Sequence, residues 1–258
     1  MGVLDGKVVI VTGASRGLGE ALAIGYGTAG AHVVLSARTT SDLERVAEAC
    51  RDAGAASATV VPADVADEAA VQALVDATVA QHGRLDCFVA NAGTSFAMLT
   101  DKRYRELTTW DAAIAEQILR VNVVGMLSCI KAAIPAMESG GSFIAIGSET
   151  GRALRPGSGI YAVSKTAVDA LATMAARESA EAGIRVNVLS PGGMVDTQLF
   201  GPDGMPDFLK QMHPPLPADV IVPAAVWLAS DESAGVTGQF FSGKSFNESG
   251  ASAGEPAR

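Results

Sequence analysis

The feature that most constrains this chain is a repeated alternation of short, β-branched apolar runs with longer helix-forming stretches. Lys7–Thr12, Ala31–Ala37, Ser57–Pro62, Arg84–Ala90, Gly141–Gly147 and Ile184–Leu189 read as buried strands, and Thr237–Phe241 as a last one. Helices are expected at Gly17–Ala29, Ser41–Ala53 (with Ser41 as N-cap), Asp67–His82, Trp110–Met137, Gly157–Ala182 and Pro223–Ser230. Strands this apolar need cover on both faces, and right-handed βαβ crossovers provide it. The expectation is an α/β fold, a single-domain Rossmann-type doubly wound parallel sheet over residues 1–246, with 247–258 as a flexible tail. A core of that size needs neither metal nor disulfide.

Two stretches interrupt the alternation, at about 94–109 and 196–219. Both leave the carboxyl edge of the sheet, where ligands bind in such folds. They are therefore candidate substrate loops, although surface loops without function would read alike. The second carries Leu199, Phe200, Met205, Phe208, Leu209 and Met212. These could close over an apolar substrate or pack against a neighbouring subunit.

Charge narrows the classes of partner. A net charge of −9 argues against nucleic acid. The cluster Lys102, Arg103, Tyr104, Arg105 lies between Asp101 and Glu106 and reads as a solvated loop. Cys50, Cys87 and Cys129 are an odd set without CxxC spacing, which fits buried thiols in a reducing, cytoplasmic setting. The N-terminus lacks the pattern of a secretory signal, and no uncharged apolar run reaches 18 residues, so no membrane association is expected. His32, His82 and His213 show no metal-ligand spacing, and no metal is expected.

The first strand ends in Thr12-Gly13-Ala14-Ser15-Arg16-Gly17-Leu18-Gly19. Glycines there let a pyrophosphate approach the backbone, and the following helix N-terminus offers unpaired N–H groups and partial positive charge. Gly13, Ser15, Arg16, Gly17, Leu18 and Gly19 are thus candidate cofactor contacts. The spacing is GxxxGxG, and here the sequence resembles the short-chain dehydrogenase/reductase family from about Lys7 to Phe241. The resemblance implies a nicotinamide cofactor, a small-molecule carbonyl or alcohol substrate, and a homodimer or homotetramer.

The second strand ends Ser36-Ala37-Arg38, without the acid that would bond a ribose 2′-hydroxyl. Arg38 and Arg16 could instead grip a 2′-phosphate with forked donors, which points to NADP, with NAD as the alternative. Solvated surface arginines would look the same. Asp64-Val65 matches the family's adenine-side pair, although Asp64 could equally cap the next helix. Asn91-Ala92-Gly93 matches its NAG motif, and Pro191-Gly192 its element beside the nicotinamide carboxamide. Thr197 follows Pro191 by six residues where the family threonine follows by five. Ser242-Gly243-Lys244-Ser245 replaces the family's acidic-Gly-Gly ending.

Tyr161 and Lys165 are four apart on an expected helix and so share a face. An ammonium beside a phenol lowers its pKa and readies it for proton transfer. Alone, such a pair is equally well helix-surface packing. Ser148, thirteen residues earlier, could hold the reacting oxygen beside the phenol. By the resemblance, Ser148, Tyr161 and Lys165 form the catalytic set, Asn122 is its fourth member associated with a proton-relay water, and Lys165 bonds the nicotinamide ribose. The alternative is a non-catalytic dinucleotide sensor or scaffold of the same fold.

Overall fold

The structure, a computed structural model, describes residues 2–101, 106–201, 203–250 and 254–257. The basic cluster at 102–105 lies outside the described residues. The strands are β1 (Val8–Thr12), β2 (His32–Ser36), β3 (Ser57–Val60), β4 (Cys87–Ala90), β5 (Ser142–Ile146), β6 (Arg185–Ser190), β7 (Gln239–Ser242) and β8 (Glu255–Pro256). The helices are α1 (Gly17–Thr28), α2 (Thr40–Asp52), α3 (Glu68–His82), α4 (Phe96–Leu99), α5 (Ala112–Leu119), α6 (Gly125–Ala133), α7 (Glu149–Arg152), α8 (Gly159–Glu178), α9 (Asp207–Met212), α10 (Val222–Ala229) and α11 (Gly243–Ser249).

The sheet runs in the order β3-β2-β1-β4-β5-β6-β7-β8. Its first seven strands pair in parallel, and β8 joins β7 antiparallel. This is the expected doubly wound Rossmann-type sheet. The order reverses between β1 and β4, so a crevice opens at their carboxyl ends.

Alternation of side chains along each strand splits the core in two. Val9 and Val11 of β1 face a layer with Leu22 and Tyr26 of α1, Leu43 and Val46 of α2 and Leu228 of α10. Val8 and Ile10 face a layer with Val71 and Leu74 of α3, Met126 of α6 and Val168 and Ala172 of α8. Burial on both faces explains why the strands read as continuous apolar runs.

Three expectations change. The second helix starts at Thr40, and its N-cap position, Thr39, makes no side-chain cap bond; Ser41 already lies inside it. The long helix expected from Trp110 to Met137 is divided: α5 passes through a π-helical turn at Arg120–Val124 into α6, and a 3₁₀ turn at Ile134–Ala136 containing Pro135 ends it. The region Ala112–Ala136 is apolar and long enough to cross a membrane by length and composition. Here Ile118, Met126, Cys129, Ala132 and Ala133 are buried within the protein instead.

The third change concerns the tail. Asn247–Ser249 complete α11, whose Phe246 packs on Trp227 and Phe241. Further on, Arg152 donates to the Pro256 carbonyl (3.2 Å) and pairs with Glu255 (3.7 Å), which seats β8 on the sheet edge. The Gly- and Ser-rich composition reads as loop. The partners that order it come from α10 and α7, far away in sequence.

Candidate active site

The candidate side chains stand at or beyond the carboxyl ends of β1 to β6, or on a helix packed there. The crevice begins at Thr12. Its hydroxyl donates to the Val89 carbonyl (3.1 Å) and accepts from the N–H groups of Asn91 (3.1 Å) and Ala92 (3.2 Å). The Asn91 amide donates back to the carbonyls of Thr12 (2.8 Å) and Gly13 (3.2 Å). These bonds tie the Gly-rich turn to the end of β4.

That turn is fitted to a close backbone approach. A Cβ on Gly19 would lie 2.1 Å from the Gly13 oxygen and 2.6 Å from Asn91 Nδ2. Gly13 has φ +65°, a conformation that favours glycine. Arg16 precedes α1 in an extended conformation and makes no side-chain cap bond, so the helix N-terminus offers its N–H groups toward an anion. Arg16 and Arg38 are exposed, and neither side chain has an ion pair or hydrogen bond among the described residues. The residues present therefore fit a dinucleotide: an uncapped helix terminus for its pyrophosphate and two unengaged guanidinium groups nearby.

The remaining cofactor candidates divide into liners and supports. Asp64 accepts from the Ala66 N–H (2.9 Å), whereas Asp67 caps α3. Asp64 thus shapes the bend beside the crevice and leaves the cap to its neighbour. Val65 fills the space where a Cβ on Gly125 would lie (2.9 Å), which is why glycine opens α6. A Cβ on Gly93 would lie 3.4 Å from Asn122 Oδ1 and 3.8 Å from Lys165 Nζ. Thr197 Cγ2 would lie 3.2 Å from a Cβ on Gly17, so the altered spacing still brings Thr197 against the Gly-rich turn.

On the other wall, Ser148 ends β5 and serves as N-cap of α7, accepting from the Thr150 N–H (3.2 Å). Its hydroxyl lies close enough to the half-buried Tyr161 to favour the ionised phenol. Lys165, one turn further along α8, is buried, and its Nζ donates to the Ile146 carbonyl (2.7 Å) at 5.9 Å from the Tyr161 ring centroid. Ser148, Tyr161 and Lys165 are thus brought together as expected.

Their electrostatics differ from expectation. Tyr161 is pushed up to about 12, chiefly by burial and further by the Glu149 carboxylate, while the Ser148 hydrogen bond pulls the other way. The anticipated lowering by Lys165 is not what governs the phenol, because the ammonium is directed at a backbone carbonyl. Lys165 is itself pushed down to about 8 by burial, with the Asp169 carboxylate opposing.

Asn122 lies in the π-turn and is buried. Its Oδ1 accepts from the Thr94 N–H (2.8 Å), and its Nδ2 donates to the Thr94 carbonyl (2.9 Å) and Ser164 Oγ (3.0 Å). Ser164 in turn donates to the Tyr161 carbonyl (2.7 Å). A cavity of about 10 Å³, room for roughly one water, is bordered by Thr12, Ala92, Asn122, Ile146 and Lys165.

The profile of the short chain dehydrogenases matches residues 7–204. The chain belongs to that family. An uncharacterized oxidoreductase of Methylorubrum extorquens is 37% identical to it over 256 residues, covering 93% of this chain and 96% of that protein. A 3beta-hydroxysteroid dehydrogenase of Eggerthella lenta is 34% identical over 246 residues, covering 91% of each. Among solved structures, carveol dehydrogenase from Mycobacterium avium in complex with NAD superimposes with a TM-score of 0.80 at 30% identity, covering 92% of this chain and 95% of that one. This short-chain dehydrogenase is accordingly an NAD(P)-dependent oxidoreductase acting on CH–OH or C=O groups.

Sequence reading did not anticipate several residues of this short-chain dehydrogenase. Arg45 pairs through both terminal nitrogens with Glu20 (2.6 and 3.0 Å) and donates to the Ser15 carbonyl (3.2 Å), tying α2 to the Gly-rich turn. Thr12 was legible as the residue that opens the Gly-rich turn, without the bonds its hydroxyl makes to the end of β4. In the 196–219 segment, Asp196 accepts from the Met205 N–H (2.7 Å) and pairs with Lys210 (2.7 Å), which folds the segment on itself. Ser95 donates to the Leu199 carbonyl (2.5 Å), joining this segment to α4. The two candidate substrate loops therefore meet. Met205 is buried, Leu199, Phe200 and Leu209 half-buried, and Phe208 and Met212 exposed.

Proposed function

We propose that this short-chain dehydrogenase is an NADPH-linked carbonyl reductase, also able to oxidise the corresponding alcohol, with Ser148, Tyr161 and Lys165 as its catalytic residues. The observation that carries this reading is the placement of Lys165 Nζ 5.9 Å from the Tyr161 ring, one helical turn behind it, with the Ser148 hydroxyl close enough to favour the ionised phenol. When bound, the nicotinamide supplies the hydride. Ser148 holds the reacting oxygen beside the phenol. Tyr161, protonated throughout the neutral range because burial holds it near 12, delivers the proton to that oxygen. Asn122 braces the opening turn of the Tyr161 helix through Ser164, and the small cavity beside Asn122 and Lys165 suits a water that resupplies the proton.

Arg16 and Arg38 support NADP over NAD. Both are exposed and unengaged, and Ala37, not an acid, ends the second strand's run. The contact between Ser95 and Leu199 joins the segment carrying Leu199, Phe200, Met205, Phe208, Leu209 and Met212 to the loop after β4, favouring an apolar ketone or secondary alcohol. The thiols of Cys50, Cys87 and Cys129 are free and buried, in keeping with a reducing cytoplasmic setting.

A homo-oligomer, dimer or tetramer, completes the reading. On α8, Val168, Ala172 and Ala175 face the sheet, while Val163, Ala170 and Met174 are exposed beside Val124 and Leu127. An outward apolar stripe of this kind suits a second copy.

The deciding experiment is a screen of NADPH and NADH oxidation across ketones and aldehydes, repeated with Tyr161→Phe. Turnover by the wild type with NADPH, lost on substitution while NADPH still binds, is the expected outcome. A Tyr161→Phe enzyme with undiminished turnover, or a strong preference for NADH, would refute the corresponding half of the proposal.

A further inference from the structure

Glu149 follows Ser148 directly and opens α7, yet the reading above gives it no task. Its Oε1 accepts a hydrogen bond from the buried Ser190 hydroxyl at the end of β6. The same Ser190 oxygen accepts from the Gly192 N–H (3.2 Å). A continuous chain therefore runs from the residue after Ser148 to the Pro191–Gly192 turn.

That turn is held from its far side as well. The Lys244 N–H donates to the Pro191 carbonyl (3.1 Å), and a Cβ on Gly192 would lie 2.2 Å from Ser242 Oγ and 2.8 Å from Lys244 Cβ. Gly192 has φ +87°, a backbone conformation that costs other residues strain. The turn is thus clamped between the Ser242–Lys244 backbone and the Glu149 carboxylate. The hydrogen bond to an ionised acceptor is the stronger type.

We propose that Glu149 is a positioning residue for hydride transfer: through Ser190 it fixes the Pro191–Gly192 turn in register with Ser148 and Tyr161. This rests on the reading of Ser148 and Tyr161 as the reacting pair and of the turn as the nicotinamide-side contact. β5 and β6 both end at the crevice, and the carboxylate ties the start of α7, just beyond β5, to the last residue of β6. The same charge has a second effect. The charged groups around the phenol are Glu149 from the β5–α7 junction and Lys165 from its own helix, with Asp169 behind Lys165 and Lys244 beyond the turn. Glu149 opposes phenolate formation, which keeps Tyr161 the proton donor and biases the site toward reduction.

Substitutions separate the tie from the charge. Glu149→Gln keeps an acceptor for Ser190 and removes the charge, Ser190→Ala keeps the charge and removes the tie, and Glu149→Ala removes both. The readouts are the dissociation constant of NADPH, followed by protein-to-nicotinamide fluorescence transfer, and the onset of Tyr161 phenolate absorbance with NADP⁺ present, isolated by difference from Tyr161→Phe. We expect the NADPH constant to rise about tenfold in Glu149→Ala and in Ser190→Ala, with no further rise in the double variant, and to stay within about threefold in Glu149→Gln. The phenolate onset should move to lower pH in Glu149→Gln and stay in place in Ser190→Ala. A Glu149→Ala protein with wild-type circular dichroism, wild-type NADPH affinity and an unmoved onset would overturn the proposal. So would a Glu149→Gln protein that binds NADPH as poorly as Glu149→Ala. Neither readout needs turnover, so an active Tyr161→Phe enzyme would sink the acid/base assignment while leaving the binding result to be judged by itself.

Discussion

Replacing Asn122 by alanine tests whether this residue is chiefly a brace. The side chain makes three buried hydrogen bonds, to the N–H and carbonyl of Thr94 and to Ser164. Alanine removes all three and strands both Thr94 backbone groups, since Thr94 is buried. Ser164 keeps its bond to the Tyr161 carbonyl and loses less. Each stranded backbone group costs about 1–3 kcal/mol, so the total is about 3–5 kcal/mol after partial relaxation. For a chain of this length about 2–4 °C of Tm follows each kcal/mol, giving a fall of about 6–20 °C. Urea unfolding followed by circular dichroism, with a parallel thermal melt, measures it. The melt should fall at every pH tested, and kcat should drop because the Ser164 link to the Tyr161 turn is loosened. A variant that loses activity while keeping its unfolding free energy within about 0.5 kcal/mol of the wild type would refute the brace and assign the side chain a purely chemical task.

Lys165 is pushed down to about 8, so its ammonium discharges as pH rises through that value; NADPH-linked reduction should hold steady from pH 6 to 7.5 and decline above about 8, and a rate flat to pH 10 would contradict this. Removing both guanidinium groups, in Arg16→Ala with Arg38→Ala, should raise KM for NADPH about tenfold or more and leave NADH nearly unaffected, as steady-state kinetics with each cofactor will show. Asp196 holds its carboxyl below the ordinary range because Lys210 and the Met205 N–H both stabilise the charged form, so Asp196→Asn should open the 196–212 segment and speed its cleavage in limited proteolysis, with unchanged cleavage counting against a clasp.

Much of this fold was legible because its strands are buried on both faces. Val8–Thr12 is wholly buried, so its apolar run announces a covered central strand. The Gly-rich turn could be read because close backbone approach leaves few residues possible at Gly13 and Gly19. The candidate site was legible in part for the same reason: Ser148, Tyr161 and Lys165 are placed by the end of one strand and the face of one helix. What escaped depends on partners distant in sequence. Arg45 meets Glu20 and Ser15 across two helices, and nothing in its neighbours on α2 signals that. The π-turn at Arg120–Val124 was read as regular helix, because its cause is the demand of Thr94 and Ser164 on Asn122. The charge balance around Tyr161 was read from Lys165 alone, whereas burial is what chiefly sets it, with Ser148 opposing and Glu149 adding to the rise.

These corrections share one physical basis. A phenol can serve as a dependable proton donor at neutral pH only if its ionised form is disfavoured until the reaction needs it. Burial and the Glu149 carboxylate do the first, and the Ser148 hydroxyl supplies a bond that favours the charged form as it develops. Such a balance works only while donor, hydroxyl and cofactor turn keep a fixed spacing. Hydrogen bonds joining separate elements provide that here: Thr12 with Asn91, Asn122 with Thr94 and Ser164, and Glu149 with Ser190. Each tie joins two elements that meet at the crevice. The chemistry therefore rests on strands and long helices, while the parts of the 94–109 and 196–219 segments beyond Thr94 and Thr197, which meet through Ser95 and Leu199, are placed to vary with substrate.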